Sequence, residues 1–431
     1  MLNKEQDDAL ATIASFLLSE EPAIIVDGSG GTGKSFLIGA LYRELLDSYK
    51  QLCGIMGVKP IYNIVRITTT TNKACESLSV FVQSDVSTIH SFLNLRVTED
   101  FKTGKEYLAT TNNTHVRYDE VIIIDEASMI NRELFKYINQ LCSKCKIIYV
   151  GDKYQLAPVK EAISEVYSQG YREIKLTQLM RQQNPILADL TNKCKQAVDT
   201  HNISIELDNN FIRKLDKQET FTFLNNNFLS SQHNNKICCY TNSSCIQYNN
   251  YIHTNVRKYN TPFYVGQRLI ANNVLHSQDN RVLLHVEDAV DITQIMGNTT
   301  LEIQGNKRTV KIAVINAIGR CLHTCDEIPL ILPVNNMDIR SALKIFAKDT
   351  DWVSYYSVKK FVADLRYADA CTVHKAQGAT VDNVLIDLDD LSTCTQTDMF
   401  FRLLYVACTR ARNNVYFYGT LAKRFGEIIC P

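Results

Sequence analysis

The chain has 431 residues, of which 45% are hydrophobic and 21% charged, an ordinary globular composition with enough apolar surface for about three domains. Its 46 basic and 46 acidic residues cancel, which excludes a uniformly polybasic nucleic-acid surface but permits a local groove. The polar start LNKEQDDAL and the lack of an apolar run of about 18 residues predict a cytoplasmic protein without a membrane partner.

The fourteen cysteines are scattered through apolar runs, as is typical of proteins in a reducing compartment. Cys142 and Cys145 form a CxxC pair, which could be half of a zinc site or a redox pair. No second CxxC or histidine pair with zinc spacing follows. We therefore predict that both residues belong to the core.

The first chemical motif is GSGGTGKS at 28–35, which stands between the apolar run AIIV and the helically spaced segment SFLIGALYRELL. A glycine loop between strand and helix binds phosphate, because backbone N–H groups and the helix N-terminus both face the anion. Lys34 is expected to reach the β- and γ-phosphates of a nucleotide and Ser35 to bind Mg²⁺. The predicted nucleotide-binding residues of the loop are Gly28, Gly31, Thr32, Gly33, Lys34 and Ser35.

Two later apolar runs end in polar residues. The run VIII at 121–124 leads into Asp125 and Glu126, and KIIYV at 146–150 leads into GDKYQ, which contains Gln155. Ligands bind at the carboxyl ends of strands in open α/β sheets. We predict that Asp125 holds the hydrated Mg²⁺, that Glu126 orients or deprotonates the attacking water, and that Gln155 senses the γ-phosphate through its neutral amide.

Several sequence blocks occur in an order that resembles superfamily 1 helicases. Besides the glycine loop they are LNKEQ, TTTTNKA at 68–74, STIHSFL at 87–93, LTQLMRQ at 176–182, TVHKAQG at 372–378 and LYVACTRAR at 404–412. The residues of these blocks are most similar to those of the compact RecD-like, Dda-type branch, whose members move 5′ to 3′ on DNA. The UvrD-like, 3′-to-5′ branch tends to carry lysine-glycine-leucine-glutamate where this chain has Gln377, Gly378, Ala379 and Thr380.

The resemblance implies an ATP-dependent DNA helicase or translocase, with further nucleotide contacts. Gln6 would read the adenine edge, and Gln377 and Gly378 would also lie at the nucleotide. Arg181 and Arg410 match the arginines that approach the γ-phosphate from the first and second motor lobes. An arginine supplied across a cleft accelerates hydrolysis about 10³- to 10⁵-fold only when the cleft is closed, so hydrolysis would be coupled to lobe movement.

The resemblance also assigns contacts with the DNA strand to neutral hydrogen-bonding side chains, which suit phosphate contacts that are made and released at each step. These residues are Thr71, Asn72, Thr88, His90, Thr372 and His374. The alternative for the two histidines is a structural role in a turn. The chain departs from the family where proline is common, at Thr70 and Ala157, and where alanine is common, at Gly30.

The segments RVTEDF and EYLATT flank residues 102–105, which include a glycine, and so predict a hairpin. By resemblance, this hairpin would be the pin that separates the strands. Phe101 and Tyr107 are candidates for stacking on the junction base pair, a contact worth about 1–3 kcal/mol per base. Cross-strand packing within the hairpin is the alternative role.

The predicted fold class is α/β; the resemblance implies two RecA-like parallel-sheet motor lobes, with a hairpin inserted in the first and a β-rich, SH3-like insertion in the second. Strand-like runs at 23–26, 64–68, 121–124, 146–150 and 173–176 alternate with helical segments, as in a parallel sheet. The predicted domains are a first motor lobe (1–94 and 118–185), the hairpin (95–117), a second motor lobe (186–261 and 366–431) and the accessory insertion (262–365), which has short β runs followed by helices near 336–348 and 354–365.

Two other functions stay open at this point. One is a nucleic-acid-stimulated ATPase switch or remodelling factor without processive unwinding. The other is a viral-type RNA helicase, against which the lack of an N-terminal cysteine-histidine zinc domain counts. The expected ligands are ATP, Mg²⁺, single-stranded DNA and single-strand/duplex junctions. A single-strand-binding or replication protein is a candidate partner, and the small size suggests a monomer.

Overall fold

The computed structural model describes residues 2–99, 106–158, 161–178, 180, 184–208 and 210–429. Its internal contacts divide the chain into two compact units: unit 1 comprises residues 1–214 and 376–431, and unit 2 comprises residues 215–375. None of the described helices is both long and apolar enough to cross a membrane. The boundaries proposed above for the four domains stay predictions.

Strands and helices alternate through the first part of unit 1. The helices are α1 (Lys4–Phe16), α2 (Lys34–Met56), α3 (Asn72–Val82), α4 (Ile89–Phe92), α5 (Arg132–Leu141) and α6 (Pro185–Thr200). The strands are β1 (Ala23–Gly28), β2 (Val65–Thr69), β3 (Ser87–Thr88), β4 (Leu95–Glu99), β5 (Glu106–Thr110), β6 (Tyr118–Asp125), β7 (Lys144–Gly151), β8 (Arg172–Leu176), β9 (Ile203–Glu206) and β10 (Ile212–Leu215). Six of them form a parallel sheet in the order β3-β2-β6-β7-β1-β8, which confirms the α/β prediction.

Both faces of this sheet are covered. Ile24 and Val26 of β1 belong to a buried cluster that includes residues of α1 and α2. Ile25 and Ile124, on the other face, belong to a cluster that includes residues of α5. Because successive side chains of a strand point to opposite faces and both are apolar here, the strands appear in the sequence as continuous apolar runs.

The CxxC pair lies in the second of these clusters. Cys142 and Cys145 are both buried free thiols. Burial raises the pKa of Cys142 to about 12, so its thiol stays protonated and is a poor metal ligand and nucleophile. The prediction of core cysteines is confirmed.

The hairpin is formed by β4 and β5, which pair in antiparallel register from Leu95 opposite Thr110 to Glu99 opposite Glu106. Leu95 and Leu108 are buried and anchor it on the core of unit 1. Residues 100–105, between the strands, lie outside the described residues.

Unit 2 combines a small parallel strand pair with an antiparallel sheet. Its helices are α7 (Lys217–Asn227), α8 (Asn242–Tyr251), α9 (Asn336–Lys348), α10 (Trp352–Phe361) and α11 (Val373–Ala376), the last residue of which belongs to unit 1. Its strands are β11 (Asn235–Cys239), β12 (Arg268–Ala271), β13 (Leu275–His276), β14 (Val282–Leu284), β15 (Ala289–Gln304), β16 (Thr309–Cys321), β17 (Glu327–Pro333), β18 (Leu365–Tyr367) and β19 (Ala370–Thr372). β11 pairs with β19 in parallel, and β17-β16-β15-β12-β18 form the antiparallel sheet.

The accessory insertion is built on longer strands than the sequence predicted. β15 has 16 residues and β16 has 13, where we expected only short runs. The register shifts between Ile292 and Gln294 and again between Ile295 and Gly297. Each shift breaks the period-two alternation that identifies a strand in a sequence, so one long strand looks like several short ones. An SH3-like identity for this insertion stays a prediction.

A buried ion cluster holds the start of β19. Arg257 donates to both carboxylate oxygens of Asp369, at 2.6 and 2.9 Å, and His233 Nε2 lies 2.8 Å from Oδ1. Burial alone would raise the pKa of Asp369, but the hydrogen bond to His233 and the charge of Arg257 outweigh it, and the net pKa is lowered. The next residue, Ala370, exchanges two backbone hydrogen bonds with the Asn249 side chain. These contacts of Asp369 and Ala370 therefore fix the start of β19, two residues before Thr372.

We expect Asp369→Asn to lower the free energy of unfolding by about 3–5 kcal/mol, because it leaves Arg257 buried without its counter-charge. The wild-type contribution of Asp369 should be complete above the ordinary carboxyl pKa of 3.8 and be lost as the pH falls below it. Urea unfolding at several pH values measures both effects. Glu302→Gln, which removes an exposed ion pair with Lys311 in the same unit, is the control. Equal unfolding midpoints for the two variants would contradict the prediction.

The last part of the chain returns to unit 1. Its elements are β20 (Val381–Asp387), α12 (Leu388–Leu391), α13 (Thr397–Cys408), β21 (Ala411–Tyr418) and β22 (Gly426–Ile429). β20 pairs with β21 and β22 with β9, both in parallel. α13 is almost entirely buried from Phe400 to Cys408 and contacts α6. The helix ends directly before Thr409 and Arg410, so it fixes the position of both.

Candidate active site

The glycine loop joins β1 to α2, as predicted. Gly31 and Gly33 have left-handed φ angles of 94° and 82°, which glycine adopts without strain. Thr32 closes the turn, because its backbone N and its Oγ1 both donate to the carbonyl of Ser29, at 3.2 and 2.9 Å. A Cβ at Gly28 would lie only 2.6 Å from Thr32 Oγ1. The loop is thus a compact turn at the N-terminus of α2, where backbone N–H groups favour an anion.

Lys34 lies over this loop. Its ammonium donates to the carbonyl of Gly28 at 2.5 Å and to that of Ser29 at 3.1 Å. Ser29 also accepts, through Oγ, a hydrogen bond of 3.1 Å from Lys195 of α6. Two lysine ammonium groups therefore contact the loop, and only that of Lys34 was predicted from the sequence.

Gln6 lies at the start of α1, beside the glycine loop. It completes a capping box with Asn3 at the start of α1, and its Nε2 donates to the carbonyl of Gly33 at 3.3 Å. The Gln6 side chain is buried, and a Cβ at Gly33 would lie 2.6 Å from Nε2. The glutamine proposed for adenine recognition thus contacts the phosphate loop directly.

Asp125 and Glu126 lie at the carboxyl end of β6. Burial, together with the charge of Glu126, raises the pKa of Asp125 to about 7, although the Glu126 N–H and the charge of Lys34 oppose the shift. Glu126 has a left-handed φ of 55°, and its N–H donates to Asp125 Oδ1 at 2.9 Å. Non-glycine residues with such φ angles are uncommon and concentrate at functional sites. Asp125 is buried and Glu126 is half-buried.

The oxygen atoms of Ser35 and Asp125 fit a magnesium ion. Both are hard oxygen ligands of the kind Mg²⁺ prefers. A nearby divalent cation would favour the charged form of Asp125, whose charged form is disfavoured without it. The assignment of Ser35 and Asp125 as magnesium ligands stays a prediction.

Gln155 is buried in a side-chain network. Its Nε2 donates to Asp152 Oδ2 at 3.3 Å, and its Oε1 accepts from Gln377 Nε2 at 2.9 Å. Two predicted site residues, separated by more than two hundred positions, are therefore in direct contact. Gly378, which follows Gln377, has a left-handed φ of 76°.

Arg410 is buried beside the glycine loop. Its guanidinium donates to the carbonyls of Val406 and Ala379 and to Thr409 Oγ1, at 3.0, 3.1 and 2.9 Å. A Cβ at Gly30 would lie 3.6 Å from Arg410 Nη2 and 3.4 Å from Thr409 Cβ. The arginine therefore borders the loop whose backbone would bind the phosphates.

This geometry predicts a size limit at Gly30. Its φ is not positive, so alanine fits with ordinary contacts, whereas the branches of valine would press on Thr409 and Arg410. Overpacking costs about 1–3 kcal/mol. Because Thr409 and Arg410 border the phosphate loop, we expect this cost to raise the activation free energy of ATP hydrolysis, so that Gly30→Val lowers kcat roughly 5- to 150-fold. Gly30→Ala is the matched control and should retain wild-type kcat. Equal steady-state rates for both variants would contradict the proposed packing.

The expected strand-contact residues of unit 1 lie at helix starts. Thr71 Oγ1 caps α3 and accepts from Ala74 N at 3.2 Å, and Thr88 Oγ1 caps α4 and accepts from Ser91 N at 3.1 Å. Capping uses an oxygen lone pair and leaves the hydroxyl hydrogen to donate to a phosphate. His90 is half-buried in α4, and burial lowers its pKa, so it is neutral at pH 7.

The loop that contains Thr71 is hydrogen-bonded to the backbone of Glu126. Asn72 is the first residue of α3, and Thr70 Oγ1, at a position where proline is common in the family, donates to the carbonyl of Glu126 at 3.4 Å. A proline could not make this bond. In unit 2, Thr372 is buried at the end of β19, while His374 in α11 is exposed.

Two of the predicted site residues, Phe101 and Arg181, lie outside the described residues. Met180, adjacent to Arg181 in the sequence, donates its N–H to the carbonyl of Gly31 at 2.7 Å. Glu5 accepts from the backbone N–H groups of residues 177 and 178, at 2.8 and 3.0 Å.

Tyr107 is 49% exposed and lies opposite Thr98 in the hairpin, where an exposed ring is accessible for stacking.

One set of contacts around Gln155 involves residues that were not predicted from the sequence. Tyr405 and Arg402 of α13 both contact the segment 152–155. The available signal was their spacing: residues 402, 405 and 409 are separated by three and four positions and so share one face of a helix. Their partners are some 250 residues away, which a single sequence does not reveal.

Comparisons with known proteins agree with the resemblance of the sequence blocks. Residues 1–217 match the family model described as an AAA domain, and residues 367–418 match the UvrD-like helicase C-terminal domain. The chain is 22% identical over 458 residues to the ATP-dependent DNA helicase dda of Enterobacteria phage T4, covering 96% of this chain and 99% of that protein. It is 24% identical over 454 residues to the ATP-dependent DNA helicase Pif1 of Campylobacter jejuni, covering 94% and 90%.

Among solved structures, the fold is similar to that of the Pif1 helicase from Bacteroides in complex with ADP-AlF3 and ssDNA. The TM-score is 0.53 at 14% identity, with 100% of this chain and 94% of that chain covered. This similarity extends over both units and agrees with the predicted two-lobe α/β architecture.

Proposed function

This chain belongs to the AAA-domain ATPases and, within them, to the superfamily 1 helicases of the RecD-like, Dda-type branch, and we propose that it moves 5′ to 3′ along single-stranded DNA. It is an ATP-hydrolysing DNA helicase. The finer parts of the proposal are the direction of movement, the roles of individual residues and the use of Mg²⁺.

The proposed direction follows from the Dda-type resemblance, and the proposed coupling of hydrolysis to movement depends on the position of Arg410. Its guanidinium borders the glycine loop at Gly30, although it comes from the far end of the sequence. A positive charge at this position is suited to stabilise the charge that develops on the γ-phosphate during transfer to water. Arg181 is the second candidate for this role, by its place in LTQLMRQ.

The remaining catalytic roles follow from the two carboxylates. When bound, Mg²⁺ would neutralise phosphate charge, held by Ser35 and Asp125. Glu126 is half-buried beside Asp125, so its carboxylate can accept a proton from the attacking water. Lys34 would move from the loop carbonyls to the phosphates, since a phosphate is the stronger acceptor for an ammonium.

The proposed strand path uses the neutral donors Thr71, Asn72, Thr88 and His90, together with Thr372 and His374. These uncharged side chains would bind phosphates by hydrogen bonds, which agrees with the zero net charge of the chain. Because Thr70 joins this loop to the carbonyl of Glu126, strand binding and hydrolysis would share a backbone segment. Tyr107 would stack on the base pair at the junction.

The test is unwinding of one DNA duplex that carries a single-stranded tail on either the 5′ or the 3′ side. With ATP and Mg²⁺, we expect strand separation from the 5′ tail and none from the 3′ tail. Unwinding from the 3′ tail alone would overturn the proposed direction while leaving the helicase assignment. DNA-stimulated ATPase activity without unwinding of either substrate would indicate an ATPase switch instead.

A further inference from the structure

One face of α13 holds the segment that contains Gln155. Arg402 Nη1 donates to the backbone carbonyls of Lys153 and Gln155, at 2.5 and 2.8 Å. One turn later, the hydroxyl of Tyr405 donates to Asp152 Oδ2 at 2.7 Å. Tyr405 is fully buried. The helix that leads to Arg410 thus contacts both ends of residues 152–155.

The hydroxyl of Tyr405 also contacts the glycine loop. It accepts from the backbone N–H of Gly30 at 3.4 Å, a long and therefore weak hydrogen bond. Burial and the charge of Asp152 raise the pKa of Tyr405 well above its ordinary value, so the hydroxyl keeps its proton and remains a donor to Asp152. One hydroxyl group thus joins the phosphate loop to a buried carboxylate.

The connection continues from Asp152 to Gln377. Asp152 Oδ2 accepts from Gln155 Nε2 at 3.3 Å as well as from Tyr405, and Gln155 Oε1 accepts from Gln377 Nε2. Gln377 stands three residues after His374 in TVHKAQG. A continuous series of hydrogen bonds therefore runs from a backbone N–H of the nucleotide loop to the sequence block assigned to strand contacts.

We propose that Tyr405 is a positioning residue whose hydroxyl couples nucleotide binding at the glycine loop to Gln155 and Gln377, and through them to DNA affinity. This inference rests on the proposed function. A phosphate at the loop competes with Tyr405 for the loop N–H groups, so the 3.4 Å contact with Gly30 is the bond that nucleotide binding changes. Because Tyr405 and Gln155 share one oxygen of Asp152, a change in one bond alters the other.

The alternative is that Tyr405 only fills space in the core. Tyr405→Phe separates the two roles, because phenylalanine keeps the buried ring and removes only the hydroxyl. The matched control is Tyr154→Phe. The ring of Tyr154 lies 6.4 Å from that of Tyr405, but its hydroxyl bonds to Asp199 and is outside the series of hydrogen bonds.

The experiment measures the Kd for single-stranded DNA with and without a non-hydrolysable ATP analogue, and the Kd of the analogue with and without DNA. The coupling factor is the ratio of the two Kd values in each pair of measurements. Thermodynamic linkage requires the same factor from both pairs, and such factors are typically about 5–150. We expect Tyr405→Phe to keep each Kd measured alone within about twofold and to bring the coupling factor close to one. Tyr154→Phe should retain the wild-type factor.

A second variant keeps the test independent of the tyrosine. Asp152→Asn removes the shared carboxylate charge, and we expect the same loss of coupling. Wild-type coupling in both Tyr405→Phe and Asp152→Asn would overturn the inference, as would an equal loss of coupling in Tyr154→Phe. A wild-type protein without DNA-stimulated ATPase activity would instead overturn the proposed function on which the inference rests.

Discussion

Arg410→Ala should lower kcat for ATP hydrolysis by about 10³-fold or more, the usual contribution of an arginine that stabilises phosphoryl transfer. The expected change in ATP affinity is small, because the guanidinium already donates to three acceptors within the protein and binding gains little from it in the ground state. Loss in kcat with little change in KM is the result expected for a contact made only in the transition state.

The matched control is Arg412→Ala, which removes an exposed arginine two positions later in the same TRAR block. It should retain wild-type kcat. Steady-state ATPase assays with saturating single-stranded DNA, combined with direct titration of ATP binding, measure both quantities. If Arg410→Ala loses ATP affinity and kcat by equal factors, Arg410 is a ground-state binder and the mechanism proposed for it is wrong.

Local features of the site could be predicted from the sequence because each is encoded within a few residues. The glycine loop needs left-handed φ angles at Gly31 and Gly33, and only glycine adopts these freely. Asp125 follows an apolar run whose length and composition already indicate a buried strand. The parallel sheet could also be predicted from local sequence, because strands buried on both faces are apolar throughout.

Other features depend on contacts between distant residues and are not encoded locally. Tyr405 contacts Asp152 across 253 positions, and within α13 it looks like one more core residue among many apolar neighbours. The left-handed turn at Glu126 has no sequence signal, because glutamate is not favoured in that conformation. In β15 the bulges hid a long strand. In each case the deciding interaction is tertiary, whereas the sequence pattern reports only local preference.

Glu126→Gln should lower kcat by roughly 10²- to 10⁴-fold, the usual contribution of a general base, while ATP and DNA binding are retained. Glutamine has the same shape, so the left-handed turn and the N–H bond to Asp125 can persist. Lys34→Ala is expected to lose turnover together with phosphate binding. Glu165→Gln, which removes the ion pair between the half-buried Glu165 and the exposed Arg132, should be neutral. Near-normal turnover in Glu126→Gln would mean that another group activates the water.

The same substitution should stabilise the protein at neutral pH when no metal is present. Asp125 has a folded-state pKa of about 7, raised by burial and by Glu126, so the folded protein holds a proton that the unfolded chain releases above its ordinary pKa of 3.8. Asp125 therefore makes stability fall as the pH rises from about 4 to about 7. Removing the charge of Glu126 lessens that shift, so we expect the Tm of Glu126→Gln to exceed that of wild type at pH 8 and to match it near pH 4. A Tm difference that does not change with pH would show that Glu126 does not act on Asp125, and the carboxylate pair would then not be the electrostatic unit that the proposed magnesium site requires.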